Sequence, residues 1–221
     1  MRFVILTILA VFYVSPAFAG AWLRDEGGAF VAFSYGINEA EEGEGSFYYE
    51  FGLTGKTTLG FDAAYRCEEG LAKSGHGTFF LRRALLNADK SNKLSYELGL
   101  GVSREQGQET THVKTGLAWG RGLAFANRTG WMSVQSSVLW QMGDGSDLYK
   151  IESTFGMNIS KLMTGIVELN LSHKDGDTST SFEPSLLFTP RNDTFKIKFG
   201  TSSPLDDFNS TALKIGIWQQ F

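Results

Sequence analysis

Cysteine is nearly absent from this chain of 221 residues, which contains only Cys67. A single thiol cannot form an internal disulfide, so a disulfide-stabilised secreted scaffold is excluded. The three histidines are spread along the sequence and form no Cys/His cluster of the kind that binds zinc, and there is no glycine-rich phosphate loop. We therefore expect no cofactor and no metal. The balance of 24 acidic against 20 basic residues argues against nucleic acid as a partner.

Proline is scarce and long hydrophobic runs are missing. The chain has 4 prolines, and no Pro-rich or low-complexity stretch marks a domain boundary. After residue 19 no apolar run reaches the roughly 20 residues that a transmembrane helix needs. If the chain enters a membrane, it must therefore do so as a closed β-sheet. The mean hydropathy of −0.12 fits this possibility, because lipid-facing and lumen-facing residues alternate in a barrel and cancel in the average.

Residues 1–19 have the features of a secretory signal peptide. A positive charge at Arg2 precedes an apolar run over residues 3–14, and residues 17–19 read Ala-Phe-Ala, a small-x-small cleavage site. A membrane-anchor helix is the alternative, but the apolar run is shorter than the roughly 20 residues of a membrane span. We predict export and cleavage after residue 19, which leaves residues 20–221 as one domain.

Most of the remaining sequence alternates between apolar and polar residues with the period of two that is typical of β-strands. The clearest run covers residues 94–103. Its apolar face consists of Leu94, Tyr96, Leu98, Leu100 and Val102. Its polar face consists of Ser95, Glu97, Gly99, Gly101 and Ser103. About twelve such runs can be counted, and a total of about 10 or 14 is the alternative. The predicted fold class is all-β.

The last run, residues 211–221, ends the chain on an aromatic residue. Its apolar face consists of Leu213, Ile215, Ile217 and Phe221. An apolar strand face that ends in a terminal Phe resembles the C-terminal signature of Gram-negative bacterial outer-membrane β-barrel proteins. Gln219 departs from this signature, in which an apolar residue is usual at that position. The resemblance implies a single antiparallel transmembrane β-barrel of the porin-like type, located in the outer membrane and surrounded by its lipid. It also implies that Phe221 serves targeting and assembly by the barrel-assembly machinery.

An even number of strands places both termini on one side, which is the periplasmic side in bacterial barrels. The odd-numbered connections then face outward, and we expect them to be the longer, acidic loops: residues 38–45, 67–75, 104–109 and 173–180. Residues 120–130 are an exception, because they form a long connection where a short turn is expected. The alternative is a soluble periplasmic or secreted barrel in which the apolar face points inward.

The polar strand faces would line the lumen, where acids and bases nearly balance. The acids are Glu50, Asp62, Glu97, Glu152, Glu168 and Glu183, and the bases include Arg66, Lys114, Lys150, Lys196, Lys198 and Lys214. Unpaired ions are expensive in a partly dehydrated wall, so we expect these charges to pair. If Ser103 lies opposite Thr110, then Gly99 lies opposite Lys114 and Glu97 is its diagonal neighbour. We therefore predict an ion pair between Glu97 and Lys114.

The last two strands carry three lysines on their polar faces, Lys196, Lys198 and Lys214, with no acid among them. A basic track along one wall predicts a narrow diffusion channel for small solutes, anionic ones in particular. The alternative is that these lysines pair with Glu168 and Glu183 on neighbouring strands. A closed barrel with a salt-bridged lumen, acting as a structural or interaction protein through its outer loops, is the second functional hypothesis.

A lipid hydrolase is the third hypothesis. The known barrel hydrolases of this membrane carry a His-x-Ser pair on a strand, and none of His76, His112 and His173 has a serine two residues later. Ser103 and His112 are diagonal neighbours in the expected register, with Glu97 below them, so a nucleophile, a base and an orienting acid are conceivable. Polar lumens often bring such residues together by chance, and we expect no enzymatic activity.

Overall fold

The computed structural model describes residues 20–221 apart from 69–70, 87–90, 106, 126, 144 and 191–194. It contains twelve strands: β1 (Ala29–Ile37), β2 (Gly43–Thr54), β3 (Thr57–Glu68), β4 (Leu71–Ala84), β5 (Asn92–Glu105), β6 (Gln108–Phe125), β7 (Arg128–Gln141), β8 (Leu148–Asn158), β9 (Met163–Lys174), β10 (Asp177–Phe188), β11 (Lys196–Pro204) and β12 (Ala212–Gln220). A short 3₁₀ helix, Phe208–Ser210, precedes β12. No helix in the described part of the chain is long and apolar enough to cross a membrane. The predicted signal peptide lies outside the described residues.

The strands form one closed antiparallel barrel in which each strand pairs with its neighbours in sequence. β12 closes the barrel against β1, with Phe30 opposite Gln220 and Ile37 opposite Leu213. Phe221 continues this seam, because its amide donates to the Ala29 carbonyl at 2.9 Å. Closure removes the free strand edges that a membrane would leave unpaired. The predicted all-β fold, the antiparallel barrel and the count of twelve strands are confirmed.

The apolar face of each strand points outward and the polar face points into the lumen. On β5, Leu100 is 62% exposed on the outer surface, whereas Glu97 is 3% exposed inside. The alternative of a soluble barrel required the reverse arrangement. Strand β4 has no clear alternation in the sequence, and here the structure supplies the answer: Phe80 and Arg82 are buried in the lumen, while Phe79 and Leu81 lie outside.

At both ends of the barrel, most neighbouring strands are joined by short connections. We call the end at which β1 begins and β12 ends the near end, and the opposite end the far end. The predicted outer loop over residues 67–75 is wrong, because β3 continues to Glu68 and β4 begins at Leu71. Residues 104–109, 120–130 and 173–180 are likewise mostly strand, with gaps of two residues between the paired strands. Residues 104–109 and 173–180 are polar on both faces, and the few apolar residues of 67–75 and 120–130 do not alternate, so the pattern disappears although the backbone pairing continues.

Connection length therefore does not distinguish the two ends. The longer connections at the far end are residues 38–42, 142–147 and 205–211, and those at the near end are 85–91, 159–162 and 189–195. The expected contrast between long outer loops and short inner turns is absent. The supposed exception, residues 120–130, is the ordinary hairpin between β6 and β7, since Phe125 pairs with Arg128.

Candidate functional site: the barrel lumen

Residues 20–25, which we call the strap, lie inside the near end of the lumen. The Gly20 carbonyl accepts a hydrogen bond from Ser95 Oγ on β5 at 3.3 Å. Two strands further along the wall, the Arg24 amide donates to Thr58 Oγ1 on β3 at 2.9 Å. Ala21 and Arg24 are both buried. The strap is therefore anchored to β5 and to β3 on the inside of the near end before the chain enters β1.

Glycines in the barrel wall make room for the strap. A Cβ atom at Gly120 would lie 2.5 Å from the ring of Trp22, and one at Gly52 would lie 2.0 Å from the backbone oxygen of Asp25. The second contact is with backbone, so no side-chain rotation could relieve it. The strap was not predicted, because residues 20–28 have no strand periodicity. Its only sequence signals are a tryptophan and an arginine between the expected cleavage site and β1.

An apolar cluster fills the near end beside the strap. Trp131 on β7, Ile166 on β9 and Leu187 on β10 are buried there, and Trp22 and Trp218 pack against them. These side chains interrupt the polar lining that the strand pattern predicted for the lumen. Because water is excluded from such a contact, the cluster closes this side of the near end.

A network of ion pairs occupies the other side of the lumen. Glu50 contacts Arg24 of the strap (Nε to Oε2, 2.5 Å) and also pairs with Arg82. Arg82 Nη2 lies 2.7 Å from Glu97 Oε2, and Lys114 Nζ lies 2.8 Å from Glu97 Oε1. The predicted Glu97–Lys114 pair is therefore present, and its register is the predicted one, with Gly99 opposite Lys114.

Neutral side chains complete the network. Tyr48 donates to Glu50 Oε1 at 2.7 Å and accepts from Arg82 Nη2 at 3.0 Å. The Arg82 guanidinium and the Lys114 ammonium make cation–π contacts with Phe80, at 5.1 Å and 5.2 Å from the ring centroid. Asp62 adds a third acid, 3.6 Å from Lys114 Nζ. Three acids and three bases are thus connected, and Arg24 is the base that the strap contributes.

Beyond this layer, the lumen holds a cavity of about 340 Å³ toward the far end. Trp218, which also packs on the apolar cluster, lines its deep end. Glu44 lines its far-end rim and is 45% exposed. The cavity is bounded by strands β1–β4 and β8–β12, and its charged side chains are Glu44, Asp62, His76, Lys150, Glu152, Glu168, Glu183, Lys198 and Lys214.

The three lysines of the last two strands do not form an unopposed basic track. Lys198 pairs with Glu168, and Lys214 Nζ lies 2.9 Å from Glu183 Oε2. Both acids are those named in the alternative hypothesis. Lys196 lies opposite Trp218 and makes no ion pair with any residue that the structure describes. Two of the three lysines are therefore neutralised by partners that lie two strands away.

Two further charges line the cavity without an ion pair among the described residues. Lys150 and Glu152 stand at alternate positions of β8, and both contribute to the cavity wall. Glu152 is exposed to the cavity rather than buried. Each of the other charged lining residues has an opposite charge within 4 Å, whereas the opposite charges nearest to Lys150 and Glu152, which include Asp62 and Lys114, lie at longer range.

The arrangement around His112 is only partly that of a hydrolase. His112 Nδ1 lies 2.9 Å from Ser103 Oγ, and Nε2 lies 2.9 Å from Thr78 Oγ1. Glu97, the acid that would orient the histidine, is not hydrogen-bonded to His112 but pairs with Arg82 and Lys114. His112 is also fully buried, so a substrate could not reach its ring. The site contains a serine–histidine pair without an orienting acid.

Comparison with known proteins gives the fold. Neither a protein-family model nor a curated protein matches the sequence. Among solved structures, the KdgM porin matches with a TM-score of 0.59 at 9% identity, over 87% of this chain and 99% of that one. The COG4313 outer membrane channel from Pseudomonas putida F1 matches with a TM-score of 0.59 at 11% identity, over 91% of this chain and 98% of that one. The NanC porin matches with a TM-score of 0.54 at 9% identity, over 87% of this chain and 98% of that one.

All three matched structures are described as porins or channels, and each is covered almost completely. At 9 to 11% identity such a likeness establishes the architecture and nothing about residues or ligands. The chain has the fold of an outer-membrane β-barrel protein, as the C-terminal strand indicated.

Proposed function

We propose that the protein is an outer-membrane channel for small hydrophilic solutes whose near end is closed by its own strap. The observation that carries this proposal is the polar cavity of about 340 Å³, which lies directly above the strap, the apolar cluster and the ion-pair network. A purely structural barrel has no need for a charged cavity of this size. The fold shared with three porins and channels supports the same function.

The apolar outer surface supports an outer-membrane location, with lipid around the barrel and the near end facing the periplasm. We propose that the assembly machinery recognises the β12 end, where Phe221 lies at the β1–β12 seam. The position of Gly20 supports export with cleavage after residue 19. Gly20 lies inside the barrel wall against Gln135 and Ala118.

The charge preference of the channel follows from the cavity lining. Its carboxylates are Glu44, Asp62, Glu152, Glu168 and Glu183, against the lysines Lys150, Lys198 and Lys214. Two of these acids have basic partners just outside the lining, Glu44 with Arg66 and Asp62 with Lys114, so the charges balance with histidine neutral. We therefore propose a channel with little preference for either sign of charge, whereas the lysine pattern of the sequence alone favoured anions. The reversal potential in a salt gradient distinguishes the two proposals.

Planar-bilayer recordings test the channel. Two proteins are produced, one starting at residue 20 and one at residue 26, and both are folded in detergent. We expect the shorter protein, which lacks the strap, to show a clearly larger single-channel conductance. Lys161→Gln, at an exposed turn of the near end, serves as the control and should conduct like the full barrel. Heat-modifiable gel mobility verifies that each protein is folded.

The closed, structural barrel is the second candidate, and the ion-pair network favours it. A buried network that links β2, β4, β5 and β6 with the strap would hold a barrel shut without any need for transport. The same recordings decide between the candidates. Folded barrels that carry no current, with or without the strap, would contradict the channel and support the structural function.

A further inference from the structure

The unpaired charges Lys150 and Glu152 point to a ligand of a particular charge pattern. The other lysines and carboxylates of the cavity wall have opposite charges within 4 Å among the described residues: Glu44–Arg66, Asp62–Lys114, Lys198–Glu168 and Lys214–Glu183. Lys150 and Glu152 have none. An ammonium and a carboxylate thus stand side by side on the cavity wall, both available to a solute.

The spacing on β8 explains why the two do not neutralise each other. Alternate residues of a strand project to the same face about 7 Å apart, so the two head groups are too far apart for direct contact unless both side chains bend together. A solute that carries both charges a few ångströms apart can bridge them. It would present its carboxylate to the ammonium and its ammonium to the carboxylate.

We propose that the cavity is a binding site for a small zwitterion, a solute with an ammonium and a carboxylate on the same or neighbouring carbons, as in an amino acid. Lys150 binds the carboxylate and Glu152 binds the ammonium. This inference rests on the proposed function, in which the lumen is the solute pathway. It goes beyond that function by naming the solute class and the two residues that select it.

The rest of the cavity suits such a solute. Asn170 lies directly opposite Glu152 on β9, and Ser172 lies opposite Lys150, so polar side chains surround both head groups. A volume of about 340 Å³ is at the lower limit of ordinary ligand sites, which span about 300 to 1,000 Å³. Small solutes are therefore favoured.

Solutes with one charge fit less well. A simple anion that approaches Lys150 meets the carboxylate of Glu152 two residues away, and a simple cation at Glu152 meets the ammonium of Lys150. Each would gain one charge-assisted hydrogen bond and suffer one repulsion, whereas a zwitterion gains two bonds. The site therefore discriminates by charge pattern rather than by net charge.

Titration calorimetry on the folded barrel tests the site, with alanine as the probe and propionate and ethylamine as its single-charge analogues. Alanine should bind, and both analogues should bind at least about tenfold more weakly. Lys150→Gln and Glu152→Gln should each weaken alanine binding by about tenfold, because each removes one charged hydrogen bond. Lys161→Gln, outside the cavity, should bind alanine like the unchanged protein.

Reversal of the pair separates the charge pattern from local distortion. The double variant Lys150→Glu with Glu152→Lys keeps the net charge and presents the same pattern in the opposite order, so it should bind alanine better than either single variant. Equal binding of alanine, propionate and ethylamine, or unchanged binding in both single variants, would overturn the inference. Because binding is measured without a current, alanine binding by a barrel that does not conduct would refute the channel and leave this site standing.

Discussion

The near and far halves of the lumen use the same kinds of charged residues in different surroundings. In the near half, Arg82 and Glu97 are buried beneath the strap, and each contacts two opposite charges. In the far half, Lys198 and Glu168 form a pair with 16% and 22% of their side chains exposed to the cavity. The contrast shows that lumen charge has two separate roles. Buried charge holds the barrel shut, and hydrated charge is left to meet a solute.

The largest effect is expected from breaking the buried network at its centre. Arg82→Met leaves Glu50 and Glu97 without their common partner in a dry environment, and we expect a loss of about 3–5 kcal/mol in the free energy of unfolding. Urea unfolding of the folded barrel measures this. The matched change in the far half, Lys198→Met, leaves a carboxylate that water can reach and should cost no more than about 1 kcal/mol. Equal losses would remove the distinction between the two halves.

An intermediate effect is expected from the strap itself. Trp22→Ala removes a half-buried ring from the apolar cluster, so the free energy of unfolding should fall by about 2–3 kcal/mol, less than for a fully buried ring. Phe208→Ala, at an exposed aromatic in the far-end connection, should change it by no more than about 0.5 kcal/mol. A Trp22→Ala barrel as stable as the Phe208→Ala barrel would mean that the strap is not held by its packing.

A smaller effect is expected at the serine–histidine pair. Ser103→Ala removes one hydrogen bond to His112, while His112 keeps its bond to Thr78. We expect a loss of about 1 kcal/mol in the free energy of unfolding. Ester and phospholipid hydrolysis by the unchanged protein should equal the background rate, because no orienting acid completes the pair. Hydrolysis that disappears in Ser103→Ala would instead establish the enzyme.

The smallest effect is expected outside the barrel wall, at Asp207 in the far-end connection. Hydrogen bonds from Ser210 Oγ (2.6 Å) and the Asn209 amide (3.1 Å) hold the pKa of Asp207 below its ordinary value of 3.8. A lowered folded-state pKa means that this stabilisation is present above pH 3.8 and is lost as the pH falls through the folded-state pKa. Carboxyl NMR titration measures the midpoint. A midpoint at or above 3.8 would contradict these hydrogen bonds from Ser210 and Asn209 to the Asp207 carboxylate.

Much of the barrel wall could be predicted from the sequence, because alternation determines which side chains face the lumen. The apolar–polar alternation along β5 is regular enough to predict its pairing register with β6, and the Glu97–Lys114 ion pair follows from that register. The extent of the strands could not be predicted in the same way. Toward the strand ends the alternation of apolar and polar residues is lost, so the pattern no longer separates strand from loop.

The candidate site was harder to predict, because its partners skip a strand. Glu50 on β2 reaches Arg82 on β4, a pair that was not predicted, and Lys214 on β12 reaches Glu183 on β10, which only the alternative hypothesis named. Glycines stand on the intervening strands, Gly60 opposite Glu50 and Gly200 opposite Lys214, and a Cβ atom there would meet Phe80 and Ser185, respectively. Neighbour-by-neighbour register considers only adjacent strands. The strap was missed because a segment without periodicity gives no sign that it folds into the lumen.

The division of the lumen into a closed near half and a hydrated far half is tested most directly by thiol labelling. In a Cys67→Ser background, single cysteines replace Glu152 in the cavity and Ser95 beneath the strap, and a water-soluble maleimide is added to the folded protein. The Glu152→Cys thiol should react quickly and the Ser95→Cys thiol should be protected until residues 20–25 are deleted. Equal labelling of the two thiols in the intact barrel would contradict this division.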